Sequence, residues 1–168
     1  MKLLKFAAIA ACIIALSITT ASAGNTVKVG AILSVTGPAS FLGAPEAKTL
    51  EMLVEDINAK GGINGAKIEL VIKDSGGSPE KAVSFAKQLI DEEKVFAIIG
   101  PSTSGETMAI KNIAEEGKTI LISCAAAEVI VNPQAKYVFK TPQMDKHAVI
   151  SIFQQMKKMN ISKLGVLS

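Results

Sequence analysis

Val95-Phe96-Ala97-Ile98-Ile99-Gly100-Pro101-Ser102-Thr103-Ser104-Gly105-Glu106-Thr107 is the stretch that decides the fold. A run of apolar residues stops at Gly100, a short hydroxyl-rich loop follows, and Met108, Ala109, Ile110, Ile113 and Ala114 then recur at helical spacing up to Gly117. The pattern predicts a buried strand, a tight loop and the N-terminus of a helix. Such a turn gathers free backbone N–H groups and the positive end of a helix dipole, a natural seat for an anion. Two readings of Ser104 stay open. It holds a ligand's carboxylate, or it is the N-cap whose hydroxyl accepts from the N–H of Thr107.

Gly100 to Thr107 nearly spells the phosphate loop of nucleotide-binding proteins, G-x-x-x-x-G-K-[ST]. Glu106 stands where that loop needs its lysine. A carboxylate there repels the outer phosphates that the lysine would neutralise, so the seat suits a small monoanion and not a nucleotide. Glu106 is also a favourable first-turn residue for the helix dipole.

Outward from this unit, strands and helices alternate. Val27–Leu33 reads as a first strand, with a long loop, Ser34 to Gly43, behind it. Leu50, Leu53, Val54 and Ile57 mark one helix face, which Gly61-Gly62 ends. Ile68–Ile72 is a second strand closing at Asp74, and Ser78-Pro79-Glu80 opens the next helix with cap, N1 proline and first-turn acid. Val95–Ile99, Thr119–Ile122 and a short Tyr137–Lys140 are the third to fifth strands. Strands that read as solid apolar runs are buried on both faces, so the fold class is α/β, a doubly wound parallel sheet. Asp145 is expected to cap another helix carrying Val149, Ile152, Phe153, Met156 and Met159 on one face, and Lys163–Leu167 to begin a further strand; the chain stops there and is expected to be incomplete.

Composition narrows the function. Lys2 and Lys5, the apolar run Phe6 to Leu16 and Ala21-Ser22-Ala23 read as a cleavable signal peptide over residues 1–23, making the protein periplasmic or secreted with Gly24 first. Cys12 lies too early in the apolar run for a lipoprotein site. Cys124 is then the one mature cysteine, without an internal disulfide partner and expected to be buried and inert. Lys2 and Lys5 account for two units of the formal net charge of +3, so the remainder is near neutral. Every basic residue is Lys and there is no Trp, which argues against a nucleic-acid partner and removes the bidentate guanidinium clamp.

In open parallel sheets ligands lie beyond the carboxyl ends of the strands. The loops there, Ser34–Gly43, Asp74–Ser78, Gly100–Ser104 and Ser123–Glu128, carry no His, no paired carboxylates and no metal-ligand spacing. With no nucleophile–base pair and no metal set, they point to binding and not to an enzyme, with no cofactor and no metal. His147 and Asp74 read as hinge-packing and strand-end residues, Met156 and Met159 as packing, Lys157-Lys158 as a solvated helix end, and Glu128 as the start of a short segment.

The block Ile57-Asn58-Ala59-Lys60-Gly61-Gly62-Ile63-Asn64-Gly65, followed by Ile68-Glu69-Leu70-Val71 and Asp74, resembles the branched-chain amino-acid binding proteins of ABC importers, which are type I periplasmic-binding proteins. Val29-Gly30-Ala31-Ile32 with Thr36-Gly37-Pro38, Ala97-Ile98-Ile99-Gly100 and Ile122-Ser123-Cys124-Ala125-Ala126 agree with it. The resemblance implies a flavodoxin-like strand order and two lobes joined by hinge strands, with a ligand held between them and presented to a membrane permease. Residues 24–140 then match the first lobe, and 141–168 the crossing at Thr141-Pro142 with the first helix and strand of lobe two. By the same resemblance Ser104 holds the ligand carboxylate, Ser102 and Thr103 touch its side chain, the Ala125 carbonyl accepts from its ammonium, Ala126 and Ala127 complete that ligand-binding loop, and Leu42 stands where the family often has an aromatic ring. The family often has Thr where Ala127 stands, so a carboxylate without an amino group is also admitted. A sensing ectodomain and, more remotely, a nucleotide-binding enzyme remain alternatives. A single lobe is expected to bind weakly and to expose the apolar face of its last helix.

Overall fold

The computed structural model describes residues 26–165, so the signal-peptide reading, Cys12 and the last residues of the expected final strand lie outside the described residues. Five strands form one sheet: β1 (Thr26–Leu33), β2 (Lys67–Asp74), β3 (Ala97–Ile99), β4 (Ile120–Ser123) and β5 (Val138–Lys140). Their order is β2-β1-β3-β4-β5, and every neighbouring pair is parallel. This is the flavodoxin-like order that the resemblance implies.

Helices cover both faces. α1 (Ser40–Ala59) packs on one side, where Ala31, Leu33 and Ala47 are buried with Leu50, Leu70, Ile72 and Ile99 against them. α2 (Pro79–Lys87) and α3 (Ser104–Glu116) pack on the other, around Ile32, Leu89, Ile98, Ile110, Leu121 and Val138. Neighbours in β1 and β3 alternate between the two cores, Ile32 and Ile98 facing one and Leu33 and Ile99 the other, as the period of two in a strand requires. The start of α2 follows the sequence expectation: Ser78 is the N-cap, its side chain accepts from the N–H of Lys81, and Pro79 is at N1. α2 runs on into a wider turn, Gln88–Glu92, that carries the buried Leu89.

Strand ends shift by one or two residues from expectation, and three boundaries differ in ways that bear on packing. α1 begins at Ser40 and takes up Leu42, Gly43 and Pro45, which shortens the loop after β1. The reason is the contact of Gly43 with the backbone of Ser34: a Cβ on Gly43 would lie 2.3 Å from the Ser34 carbonyl, so only glycine lets the helix lie so close. The inward stripe of α1 is accordingly Gly43, Glu46, Ala47, Leu50, Val54 and Ile57, and Leu53 is exposed. The third strand is shorter than Val95–Ile99, with Phe96 turned to solvent although its N–H still bonds the carbonyl of Lys28. Met144, not Asp145, is the N-cap of α4 (Asp145–Lys158), and no side chain caps it.

α4 buries no residue, and Val149, Ile150, Ile152, Phe153 and Met159 are exposed along it. Of the expected final strand, Lys163–Gly165 are irregular. No helix among the described residues is long and apolar enough to cross a membrane.

Candidate functional site

β1 and β3 are neighbours in the sheet, but the chain leaves them toward opposite faces, into α1 and α3. Their carboxyl ends therefore open a crevice at the point where the winding reverses. Gly100 starts the loop there with a φ of +93°, and a Cβ would meet the Ile32 carbonyl at 2.1 Å, so this turn also requires glycine.

The cap of α3 is Thr103 and not Ser104. Thr103 is extended and its hydroxyl accepts from the N–H of Glu106 at 3.4 Å. Thr103-Ser104-Gly105-Glu106 is a capping-box sequence, with Glu at N3. Glu106 reaches back to the Thr103 hydroxyl, which donates to its Oε2 at 2.5 Å. Ser104, moved into the first turn, has its hydroxyl free of capping; its Oγ accepts from the N–H of Ala127 at 3.4 Å. The structure thus brings Ser104 and Ala127 together, half-buried, at a helix terminus whose first N–H groups have no carbonyl a turn back.

The alanine loop is anchored separately. The Ala125 N–H donates to Ser123 Oγ at 3.1 Å, and Ser123 Oγ lies 2.7 Å from Thr107 Oγ1. Thr107 already donates to the Thr103 carbonyl, so Ser123 is the donor between the two hydroxyls. Lys140 closes the loop from the other side, its Nζ donating to the Ala126 carbonyl at 2.7 Å and to the Gln143 carbonyl at 3.2 Å. The Ala126 carbonyl is therefore committed to the protein, while that of Ala125 accepts no hydrogen bond among the described residues. Lys140 gave no signal in sequence beyond its place at the end of a short strand.

Ser102 is almost fully buried. Its hydroxyl accepts from the Ser34 N–H at 3.1 Å and donates to Glu46 Oε2 at 2.5 Å, so it ties β1 to α1 beneath the crevice. Leu42, 38% exposed, stands in the first turn of α1 beside the more exposed Phe41. Asp74 serves its own strand end: its carboxylate accepts from the hydroxyl and N–H of Thr36 and from the N–H of Gly76, and these bonds outweigh its desolvation and hold it below the usual aspartate range. Cys124 is half-buried and not buried as expected; burial first and the Glu46 carboxylate second push its thiol up to about 11.

Two acids that sequence reasoning missed as a pair meet at this crevice. Glu106 is fully buried, with Oε2 accepting from Ser34 Oγ at 3.0 Å as well as from Thr103. Glu46 comes from α1, and burial holds its carboxyl above the ordinary range, with Glu106 adding to the effect and the Ser102 hydroxyl opposing it. The loops carry no paired carboxylates, as read; the pair is assembled from two helices. Among the described residues no group of three or more His, Cys, Asp or Glu is placed to hold a metal.

Two hollows lie elsewhere. One of about 440 Å³ sits at the crossing, where Val138, Phe139, Pro142, Met144 and His147 line it. Another of about 560 Å³ lies at the amino ends of the strands, beside Phe96, Lys118 and Tyr137. Neither includes Ser104 or the alanine loop.

Residues 26–168 match the model of the family described as periplasmic binding protein. The chain is 32% identical over 158 residues to Leu/Ile/Val-binding protein homolog 7 of Brucella abortus, covering 94% of this chain and 39% of that protein. It superposes with a TM-score of 0.69 and 34% identity on the branched-chain amino acid transporter substrate binding protein LivJ of Streptococcus pneumoniae, crystallised with isoleucine, covering 72% of this chain and 35% of that one. With a fatty acid ABC transporter substrate-binding protein of Thermomonospora curvata the TM-score is 0.75 at 28% identity, covering 84% of this chain and 35% of that one. The chain thus spans about two-fifths of the length of the curated relatives it matches.

Proposed function

The chain belongs to the periplasmic binding protein family, and from that premise we propose that it supplies one lobe of a solute receptor. The receptor takes an amino acid or a small organic carboxylate between two lobes and delivers it to an ABC permease from the periplasm. The observation that carries this reading is the first turn of α3, where the Ser104 hydroxyl, spared from capping by Thr103, lies against the Ala127 N–H. A carboxylate placed there meets a hydroxyl donor, backbone N–H groups and the positive end of a thirteen-residue helix. The open Ala125 carbonyl is suited to accept from a ligand ammonium. Among the described residues no nucleophile and base are paired in the crevice, which supports a binding role, with closure of the lobes following ligand contact with both.

Branched-chain amino acids are the first candidates, since relatives that match the chain are described as Leu/Ile/Val-binding and as bound to isoleucine. A second reading, an aliphatic carboxylate without an amino group, is favoured by Ala127, which offers no hydroxyl to an ammonium, and by the exposed Phe41 and Leu42 at the rim. Calorimetric titration of the full-length protein with isoleucine and with hexanoate tests both. We expect at least one to bind, and Ser104→Ala to weaken it by about tenfold, the worth of one hydrogen bond to a charged group. Binding of neither, or Ser104→Ala indistinguishable from the unaltered protein, refutes the seat.

A further inference from the structure

Among the described residues Glu106 is the fully buried charged side chain, and its Oε1 has no hydrogen-bond partner. It belongs to one continuous chain of bonds: Glu46 Oε2 to Ser102 Oγ at 2.5 Å, Ser102 Oγ to the Ser34 N–H at 3.1 Å, then Ser34 Oγ to Glu106 Oε2 at 3.0 Å, and Thr103 Oγ1 to that same oxygen at 2.5 Å. The chain runs directly behind the first turn of α3 and ends at its N-cap. Both acids are supplied with hydroxyl donors and with no cation. The ion pairs of the described residues are Lys28 with Glu69 and Glu93, Lys60 with Asp56 and Lys146 with Glu128, all elsewhere. From the elements packed around Glu46, the titratable group acting on it is Glu106 of α3, and Glu46 in turn acts on the thiol of Cys124 after β4.

We propose that Glu46 and Glu106 are specificity-determining residues that limit the solute to a single negative charge. This rests on the carboxylate seat at Ser104. The helix terminus offers about half a positive charge, and the two acids behind it draw on that same dipole. One solute carboxylate is held by hydroxyl and N–H donors. On this lobe the ammonium of Lys140 is held by the Ala126 and Gln143 carbonyls, so a second negative charge on the solute meets the field of both acids, and monocarboxylates and zwitterions are favoured over dicarboxylates and phosphate esters. A capping role alone would need only Glu106. Glu46, from another helix and another part of the sequence, has no helix to cap here, and its burial beside a second acid is what sets the charge of the crevice.

The test is calorimetry on the full-length protein with isoleucine, hexanoate and hexanedioate at pH 7.5, comparing the unaltered protein with Glu46→Gln, Glu106→Gln and Ser104→Ala. Glutamine keeps an acceptor for Ser102 at position 46, so that variant retains the bond network. We expect hexanedioate to bind at least tenfold more weakly than the better monocarboxylate, and Glu46→Gln to narrow that ratio by about fivefold, the effect of one charge removed at roughly 8 Å through partly hydrated surroundings. Glu106→Gln narrows it in the same direction. An unchanged ratio in Glu46→Gln, or equal affinity of the unaltered protein for hexanoate and hexanedioate, overturns the proposal. Ser104→Ala separates the two readings: if it abolishes monocarboxylate binding while Glu46→Gln leaves the ratio untouched, the seat stands and the charge limit falls. If no probe binds the unaltered protein, both fall.

Discussion

Thr103→Ala separates the two hydroxyls at the start of α3. The Thr103 side chain does two things at once: it accepts from the Glu106 N–H as N-cap, and it donates to the buried Glu106 Oε2. Loss of an N-cap acceptor costs about 1 kcal/mol. Loss of a donor to a buried carboxylate costs about 1.5–3 kcal/mol, because Ser34 then remains as its donor and Oε1 has none. Together the substitution costs about 2–4 kcal/mol, which at an m-value near 2 kcal/mol/M lowers the urea midpoint by about 1–2 M. Thr103→Ser keeps the hydroxyl and costs less than about 1 kcal/mol, and so does Ser104→Ala, whose lost bond to the Ala127 N–H is 3.4 Å long. The assay is urea unfolding followed by far-ultraviolet circular dichroism, since the chain has no Trp. If either Ser104→Ala or Thr103→Ser is as destabilising as Thr103→Ala, the capping assignment and the burial of Glu106 as an acceptor are wrong.

Gly43→Ala places a Cβ 2.3 Å from the Ser34 backbone, which no side-chain rotation relieves, so it should cost at or above the roughly 3 kcal/mol of ordinary overpacking; Gly105→Ala, with open space at its Cβ, should be neutral or stabilise by about 0.5 kcal/mol, both measured by the same urea titration. Burial raises the Glu46 carboxyl above its ordinary value of 4.5. The native state therefore holds that proton more tightly than the unfolded chain, and the associated stability is complete below 4.5 and is lost as pH rises through the native value. Unfolding midpoints from pH 4 to 8 should show this decline, and Glu46→Gln should flatten it; an identical profile in the variant counts against the burial of Glu46.

The strand–loop–helix unit at 95–117 was legible because its signals are local: an apolar run, a glycine with nowhere for a Cβ, hydroxyls, then a 3.6-residue period. The parallel sheet followed from strands without alternation. The cap was misplaced because both Thr103 and Ser104 are good caps, and what decides between them is the glutamate three residues on from Thr103, a signal present in the sequence but read as a simple first-turn acid. The start of α1 was hidden by Gly43 and Pro45, which look like loop residues until the Ser34 backbone is placed beside Gly43. The acid pair was illegible for a stronger reason. Ser102 reaches Glu46 across 56 positions and Ser34 reaches Glu106 across 72, and nothing within either helix distinguishes these glutamates from solvated ones.

The absence of arginine from this lobe gives its side of the crevice its physical character. A guanidinium clamp would bring a full positive charge and two parallel bonds to a carboxylate, enough to hold a dianion against nearby acids. This lobe has a helix terminus in place of that charge, and it spends part of the terminus on its own Glu106. What remains for a solute is directional donors of modest net charge, which reward shape and a single head group over charge. On the proposed reading such a seat discriminates by fit. The apolar Phe41 and Leu42 at the rim and the rigid anchoring of the alanine loop by Ser123, Thr107 and Lys140 are the features through which fit can act. Rigidity matters here because a seat of this kind loses its donors if the loop moves by an ångström, whereas a lysine or arginine would follow the anion.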